Sequence, residues 1–356
     1  MTQSAIRHPQ STALFQSVFL KACRREKTPY TPVWLMRQAG RYMKDYRRIR
    51  EKMSFLELCK NPSLAAEVTV MAQEKLKTDV AIIFSDILLI VEPMGLSLDY
   101  PKNDGPSISK RISDSKAVDA LKELKSAEAL GFVLEAIRET RKKLKPSIPL
   151  IGFAGAPFTL ASYMIEGGST KNFEKTKKFM TGDRARWKTL MKKIVHSTIL
   201  YLNAQIDVGA QAIQIFDSWA GILNGETYGQ FVAPHMKSLI QGIKKGTPVI
   251  HFSTKTGPFL EKISQAGGDV ISVDYRISLG EAWKKIGYDK AIQGNLDPKI
   301  LLGDLKEIKK QVRRLLKEAG GRPGYIFNLG HGVLPETPVE NVKALVEMVH
   351  DPTTSF

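Results

Sequence analysis

Short apolar segments alternate with longer amphipathic segments along most of the chain. Eight of the short segments are nearly continuous in apolar residues, many of them β-branched, which is typical of strands covered on both faces. In chain order they are Pro32–Met36, Val80–Phe84, Leu150–Gly155, Ala212–Asp217, Val249–Phe252, Val270–Asp274, Ala291–Asn295 and Tyr325–Leu329. Strand and helix alternating eight times predict an α/β fold, a single (β/α)8 barrel of the TIM type.

The segments between the predicted strands carry signals for helix ends. Asn61-Pro62 and Asp297-Pro298 each place a capping side chain before a proline at the first helical position. Thr337 to Glu340 have the spacing of a capping box that opens the last helix. No Gly/Ser-rich linker divides the chain, so we predict one domain over residues 1–356. Its core spans about 14–350, with an extended N-terminus and an insertion near 101–148.

Composition and cysteine usage exclude several classes of protein. Hydrophobic residues make up 43% of the chain and charged residues 25%, which is ordinary for a globular protein and argues against disorder. The two cysteines, Cys23 and Cys59, are too few for a disulfide framework or a cysteine-rich zinc site. The N-terminal segment lacks the apolar core of a secretory signal, and the most apolar stretch is too short to span a bilayer. A cytoplasmic protein with no membrane partner is therefore expected.

The charge of the chain is strongly positive. Lys and Arg number 53 against 36 Asp and Glu, which gives a formal net charge of +17. Such a charge suits nucleic acid, an anionic surface or a small polyanionic substrate. The basic runs at 141–145 and 306–318 lack interleaved aromatic residues, which favours solvated helix faces there. A basic nucleic-acid-binding protein stays an alternative, although no specific nucleic-acid partner is expected.

Polar and glycine residues follow nearly every predicted strand, at the end of a barrel where active sites form. Arg37 and Arg41, with Gly40 between them, follow the first strand, and Arg50 comes shortly after. Forked guanidinium groups bind carboxylates and phosphates in pairs of hydrogen bonds. Surface arginines are the alternative interpretation. The other candidates at strand ends are Asp86, Tyr163, Ser218 and His331.

These four side chains differ in how strongly they indicate a site. Asp86 stands among apolar residues, where a carboxylate is costly unless it is paired, binds a metal or faces a ligand. His331 lies between two glycines that leave its imidazole accessible. Tyr163 also fits a core position and Ser218 a helix N-cap. The six histidines are dispersed and form no metal motif, so we expect no metal and no cofactor. The set fits proton-transfer chemistry on an anionic organic substrate.

Six segments together resemble one known family, uroporphyrinogen decarboxylase, over about residues 14–350. The resemblance implies a single (β/α)8 barrel that acts as a homodimer without cofactor or metal. It also implies a reaction, the removal of carbon dioxide from the four acetate arms of uroporphyrinogen III to give coproporphyrinogen III in haem synthesis. The segments are WLMRQAGRYMKDYRRIR (34–50), AIIFSDIL (81–88), GFAGAPFTLASYMIEGG (152–168), FDSWAG (216–221), QGNLDP (293–298) and NLGHG (328–332).

The resemblance also implies roles for the candidate residues. Asp86 corresponds to a carboxylate beneath the centre of the macrocycle that accepts the pyrrole N–H bonds, and it is expected to act in catalysis together with Arg37, Tyr163 and His331. The proton donor stays open among Arg37, a water molecule and another group. The residues expected to bind substrate are Arg37, Gln38, Ala39, Gly40, Arg41, Arg50, Asp86, Tyr163, Ser218 and His331.

Two points set limits on the resemblance. The fifth strand ends in a Ser253–Thr256 loop where the family more often has a Phe-x-Lys-Gly type of turn, so a role for Lys255 stays open. A corrinoid-linked methyltransferase of the same fold is a further alternative. It would need a zinc site with His and Cys ligands at strand ends, and both cysteines lie outside the strand-end loops.

Overall fold

In the computed structural model, which describes residues 13–101 and 105–355, seven strands form one parallel sheet. Each strand of this sheet pairs with the strand of the same sheet that follows it in the chain, and two further short strands form a separate antiparallel pair. The strands are β1 Ala81–Ile82, β2 Leu98–Asp99, β3 Ser107–Ile108, β4 Leu150–Gly155, β5 Ala212–Asp217, β6 Val249–Ser253, β7 Val270–Ser272, β8 Ala291–Leu296 and β9 Tyr325–Leu329.

Helices follow the strands in the predicted alternation, which confirms the α/β class and the parallel sheet. The helices are α1 Val18–Cys23, α2 Lys44–Arg50, α3 Phe55–Cys59, α4 Pro62–Leu76, α5 Ser115–Ala120, α6 Gly131–Lys143, α7 Pro157–Glu166, α8 Glu174–Gly182, α9 Arg184–Asp207, α10 Gly225–Phe231, α11 Ala233–Gln241, α12 Leu260–Ala266, α13 Leu279–Ile286, α14 Leu305–Ala319 and α15 Val339–His350.

The predicted first strand, Pro32–Met36, is reduced to a single bridge. Val33 forms one isolated parallel bridge with Phe327 of β9. Phe327 N–H donates to the carbonyl of Pro32 at 2.8 Å, and Asp79 N–H, just before β1, donates to that of Val33 at 3.0 Å. The ladder stops there because Met36 N–H donates to the side chain of Asn328 instead of to a backbone carbonyl of β9. The segment 32–34 thus connects the two ends of the sheet.

The other seven predicted strands are present, three of them with the predicted bounds. β1 is shorter than predicted because Phe84 N–H donates to the Thr69 hydroxyl at 2.9 Å. β7 ends at Ser272 rather than at Asp274, whose carboxylate accepts backbone N–H groups of the neighbouring loops. The capping of α4 by Asn61 is confirmed, whereas the predicted Thr337 capping box is absent because Pro338 occupies the N-cap of α15.

The inner face of the sheet is filled by side chains. A buried cluster contains the inward residues Ile151, Ile250 and Ile326. Across it, the indole N–H of Trp34 donates to Gln293 Oε1 at 2.8 Å, and the Gln293 amide donates to Ser272 Oγ at 2.9 Å. A filled interior leaves the carboxyl end of the strands as the place where a ligand binds.

The segments flanking the sheet hold the expected additions. Between β1 and β4 lie the β2–β3 pair, α5 and α6, where an insertion near 101–148 was expected. Residues 102–104 of that segment and the expected N-terminal extension over residues 1–12 lie outside the described residues. Among the described helices, none combines the length and the apolar character needed to cross a membrane.

Candidate active site

Arg37 lies where the chain turns away from the Val33 bridge, and its backbone is left-handed with φ of 63°. Few non-glycine residues adopt this conformation, and those that do cluster at functional sites. The buried Gln38 side chain fixes the turn by accepting from Leu35 N–H and donating to the Val80 carbonyl, both at 3.3 Å. The turn leaves the Arg37 side chain exposed.

The surroundings of Arg37 bring several predicted residues together. Although its surface is open to solvent, enough protein surrounds it that burial lowers the pKa of the guanidinium. Arg41 lowers this pKa further, while Asp86 and Tyr163 act in the opposite direction. A side chain that solvent reaches although protein surrounds it lies on a concave surface. Arg41, Asp86 and Tyr163 lie within electrostatic reach of the Arg37 side chain.

Asp86 is a half-buried carboxylate in the loop after β1. Its Oδ1 accepts Leu88 N–H at 2.8 Å. Burial raises the pKa of Asp86, and this effect outweighs a hydrogen bond from Tyr100, the Leu88 N–H and the charge of Arg37, all of which lower it. The protein therefore leaves the charge of Asp86 partly uncompensated, and N–H donors on a ligand would stabilise its ionised form.

Tyr163 extends from α7 toward the end of β5. Its ring centroid lies 5.9 Å from that of Trp219, and the side chain is 8% exposed. The Thr159 hydroxyl ties α7 to the loop after β5, because it donates to Asp217 Oδ1 at 2.9 Å and accepts Trp219 N–H at 3.3 Å. Ser218, half-buried, lies within this fixed loop.

His331 is exposed on the loop after β9. This loop is joined to the Arg37 turn because Val333 N–H donates to the Met36 carbonyl at 2.9 Å. Burial and the charges of Arg37 and Arg276 lower the pKa of His331. The lowered pKa favours the uncharged imidazole, which has one donor and one acceptor nitrogen.

The structure brings together half of the predicted site, namely Arg37, Arg41, Asp86, Tyr163 and His331. Ser218 lies next to this group because Trp219, the following residue, contacts the Tyr163 ring. Arg50 ends α2, where its guanidinium donates to the Met53 carbonyl and lies 5.8 Å from the Phe55 ring. The roles of all ten residues in substrate binding, and of Asp86, Arg37, Tyr163 and His331 in catalysis, stay predictions.

Two groups near the site were not predicted from the sequence. Tyr100 interacts with Asp86 but lies in the insertion, where no strand end marked it. Rings of Phe153, Phe216 and Phe252 follow one another across three strands, with centroids 5.5 and 5.7 Å apart. Their inward direction was readable from the two-residue period of each strand. Within the described part of the chain, no three His, Cys, Asp or Glu side chains come together as metal ligands.

Cationic, carboxylate, phenol and imidazole groups at the carboxyl ends of parallel strands define an α/β enzyme for an anionic organic substrate. Residues 15–352 match the family model described as Uroporphyrinogen decarboxylase (URO-D), and the chain belongs to this family. This confirms the resemblance and the predicted class of enzyme, a carboxy-lyase.

Curated relatives of high similarity carry the same name. A uroporphyrinogen decarboxylase from Solibacter usitatus is 53% identical over 94% of this chain and 97% of its own length. One from Thermus thermophilus is 46% identical over 95% and 98% of the two chains. Among solved structures, a methyltransferase from Methanosarcina mazei has a TM-score of 0.77 at 22% identity over 94% of this chain and 98% of that chain. At that identity the likeness concerns the fold alone.

Proposed function

We propose that this chain decarboxylates the four acetate arms of uroporphyrinogen III to methyl groups, giving coproporphyrinogen III in porphyrin and haem synthesis. The observation that carries the proposal is the proximity of Asp86 and Arg37 at the carboxyl ends of the strands, where the charge of each shifts the pKa of the other. One supplies a negative charge for pyrrole N–H groups and the other a positive charge for the substrate's carboxylates.

Substrate capture rests on the two arginines. The substrate carries eight carboxylates, and Arg37 and Arg41 would each donate charged hydrogen bonds to them. The two guanidinium groups repel one another in the free protein, as the effect of Arg41 on Arg37 indicates. Carboxylates bound between them relieve that repulsion. The net charge of +17 favours the approach of a polyanion over longer distances.

The reaction needs an electron sink, which the substrate itself provides. A proton added to a pyrrole carbon next to the acetate-bearing carbon makes that ring cationic. The bond between the arm and its carboxylate then breaks, carbon dioxide leaves, and the electron pair flows into the ring as an exocyclic double bond. Protonation of the exocyclic carbon gives the methyl group, and loss of the ring proton restores the pyrrole.

Asp86 favours this reaction by electrostatic attraction to the cationic ring. It accepts the pyrrole N–H groups, and its interaction strengthens as the ring becomes cationic, so it stabilises the transition state more than the bound substrate. Two candidates supply the proton, Arg37 and a water molecule held in the site. Burial lowers the pKa of Arg37, which is the direction an acid requires. Tyr163 and the neutral His331 would orient the arms by hydrogen bonds.

The proposal includes finer features of the molecule. The segment 32–34 acts as an eighth strand and closes the sheet into a (β/α)8 barrel, as its hydrogen bonds to Phe327 and Asp79 suggest. Residues 1–356 then form one barrel domain. The enzyme works in the cytoplasm as a homodimer, without cofactor or metal. Light scattering coupled to size exclusion tests the dimer, which has twice the 39.7 kDa mass of the chain.

The activity is tested by incubating the purified protein with uroporphyrinogen III under reducing conditions, with nothing else added. The carboxylate count of the product is followed by chromatography after oxidation to the porphyrin. We expect intermediates with successively fewer carboxylates and a final product with four. A substrate that keeps all eight carboxylates would refute the proposal.

A further inference from the structure

Arg276 is an exposed arginine beyond the end of β7, beside a carboxylate that is almost wholly buried. Asp274 is 3% exposed, and its Oδ2 accepts from Arg276 Nη1 at 2.6 Å. The carboxylate is itself fixed, since it also accepts the backbone N–H groups of Lys255 at 2.8 Å and Arg276 at 3.2 Å. The buried Asp274 thus anchors a side chain whose outer part faces solvent.

The guanidinium of Arg276 is held on a second side by Tyr275. Its Nη2 donates to the Tyr275 hydroxyl at 3.0 Å, and its central carbon lies 4.5 Å from the ring centroid. These contacts use two of the five N–H donors of a guanidinium. Because its position is fixed in advance, a ligand that binds the remaining donors has less side-chain entropy to remove.

Arg276 is joined to the site by the loop that carries His331. A Cβ on Gly330 would lie 2.9 Å from the backbone carbonyl carbon of Asp274, and a Cβ on Gly332 would lie 2.7 Å from Cγ of Arg37. The loop is therefore pressed against the Arg37 turn on one side and against the Asp274 segment on the other. The charges of both arginines act on His331 and lower its pKa.

There is room for a ligand group next to Arg276. It lines a cavity of about 280 Å³ at the ends of β7 and β8, together with Ser278 and Arg314. Asp297 lines the same cavity, and Arg314 is paired with Glu318 at 2.5 Å. The groups left to suit a carboxylate are therefore the remaining N–H donors of Arg276 and the Ser278 hydroxyl.

We propose that Arg276 is a further binding residue, which receives one carboxylate of the substrate on the other side of the His331 loop from Arg37. The inference rests on the proposed function. It adds an arginine to Arg37, Arg41 and Arg50 in the recognition of the substrate and makes Asp274 a positioning residue, which acts through Arg276.

The test compares Arg276→Gln and Arg276→Lys with the wild type, using uroporphyrinogen III. Loss of charged hydrogen bonds to a carboxylate weakens binding by about tenfold or more, so we expect the KM of Arg276→Gln to rise about tenfold with kcat within about twofold. Arg276→Lys keeps the positive charge but lacks the forked guanidinium. Its KM should lie between those of the wild type and Arg276→Gln. Thermal unfolding shows whether each variant keeps its fold.

A matched control is Arg322→Gln. Arg322 is also exposed, donates to the Ala319 carbonyl at 3.0 Å and lies 4.9 Å from the Tyr288 ring, so it has similar contacts away from the His331 loop. The KM of Arg322→Gln should equal that of the wild type.

Fluorescence titration with coproporphyrinogen distinguishes the acetate arms of the substrate from the arms whose carboxylates survive the reaction. Weaker product binding in Arg276→Gln assigns Arg276 to a carboxylate that survives the reaction, and unchanged product binding assigns it to an acetate.

Failure of the inference differs from failure of the proposed function. A wild-type protein that leaves uroporphyrinogen unchanged refutes the function. An active wild type together with folded Arg276→Gln and Arg276→Lys variants of unchanged KM overturns the role of Arg276 alone. A fall in the kcat of Arg276→Gln at constant KM overturns the role of Arg276 as well, because binding a carboxylate away from the reacting carbon acts on KM.

Discussion

Gly332 leaves the space in which the Arg37 side chain lies: a Cβ at position 332 would stand 2.7 Å from Cγ and 2.9 Å from Nε of Arg37. Real Cβ atoms do not approach so closely, so any other residue at 332 would displace the arginine. The Val333 N–H bond to the Met36 carbonyl, at 2.9 Å, fixes the two backbones relative to each other. The glycine beside His331 is thus needed for close approach.

Gly332→Ala should therefore impair catalysis without unfolding the protein. A displacement of about 1 Å in a positioned group costs up to about 100-fold in rate, so we expect kcat/KM to fall by about 10- to 100-fold. Steady-state kinetics checks this against Gly182→Ala, a position where no atom lies within 4 Å of an added Cβ. Equal kinetics for the two variants would show that Arg37 tolerates the shift.

Arg37→Ala and Arg41→Ala should weaken substrate binding while the fold stays intact. Each charged hydrogen bond to a carboxylate contributes roughly 1.5–3 kcal/mol, so each change should raise KM by about 10- to 100-fold. Arg48→Ala, an exposed arginine on α2, is the control and should bind as the wild type does. Wild-type KM values for both Arg37→Ala and Arg41→Ala would remove these residues from the binding site.

Chelators should leave the activity unchanged. The proposed reaction uses only the substrate ring and the protein's own charges, so prolonged dialysis against EDTA is expected to preserve kcat. The rate of carbon dioxide release before and after dialysis provides the measurement. A loss that one added divalent cation restores would mean that a metal takes part in the reaction.

Asp217 should make the stability of the protein depend on pH. It is fully buried, and burial raises its pKa from 3.8 to about 7 against a hydrogen bond from Thr159. Because the folded pKa lies above the unfolded one, the stabilisation is present below about pH 4 and is lost as the pH rises through about 7. The change is on the order of 4 kcal/mol.

Urea unfolding at pH 5 and at pH 8 measures this effect. Asp217→Asn keeps an acceptor for the Thr159 hydroxyl but does not titrate, so its stability should decrease less between the two pH values than that of the wild type. Comparing the two proteins cancels the titration of all other groups. Parallel stability curves would show that Asp217 has an ordinary pKa in the folded protein.

The sequence predicted the parallel strands well because nearly continuous apolar runs between helices allow few other structures. It failed for Pro32–Met36, where the run is apolar but the hydrogen bonds of its second half go to the side chains of Gln38 and Asn328 and to the backbone of the Arg37 turn. Apolar patterning reports burial, and it does not report which partner receives each N–H group.

The site was predictable where it follows strand ends and unpredictable where tertiary packing forms it. Asp86 and His331 stood out by their neighbours in the sequence. Tyr100 and Arg276 gave no such signal, since one lies in an insertion and the other depends on the buried Asp274. The Ser253–Thr256 loop, which departs from the family pattern, is held by a 2.7 Å contact between the hydroxyls of its end residues.

Asp86 provides the sharpest test of the mechanism. Asp86→Asn keeps the size of the side chain but removes the negative charge and presents a donor to the pyrrole N–H groups. We expect kcat/KM to fall by at least about 100-fold, as for the loss of one preorganised electrostatic group, with little change in unfolding temperature. Asp86→Glu keeps the charge one methylene further out and should retain more activity than Asp86→Asn.

The pH dependence of the reaction gives an independent measure of the same role. Burial raises the pKa of Asp86 above its ordinary 3.8, so protonation on the acid side should remove the charge that the cationic ring requires. In the wild type, kcat/KM should rise with pH through this pKa, and in Asp86→Asn the acid limb should be lost because position 86 no longer titrates. If Asp86→Asn is nearly as active as the wild type, or keeps the same acid limb, Asp86 has a structural role and the cation must be stabilised by another group.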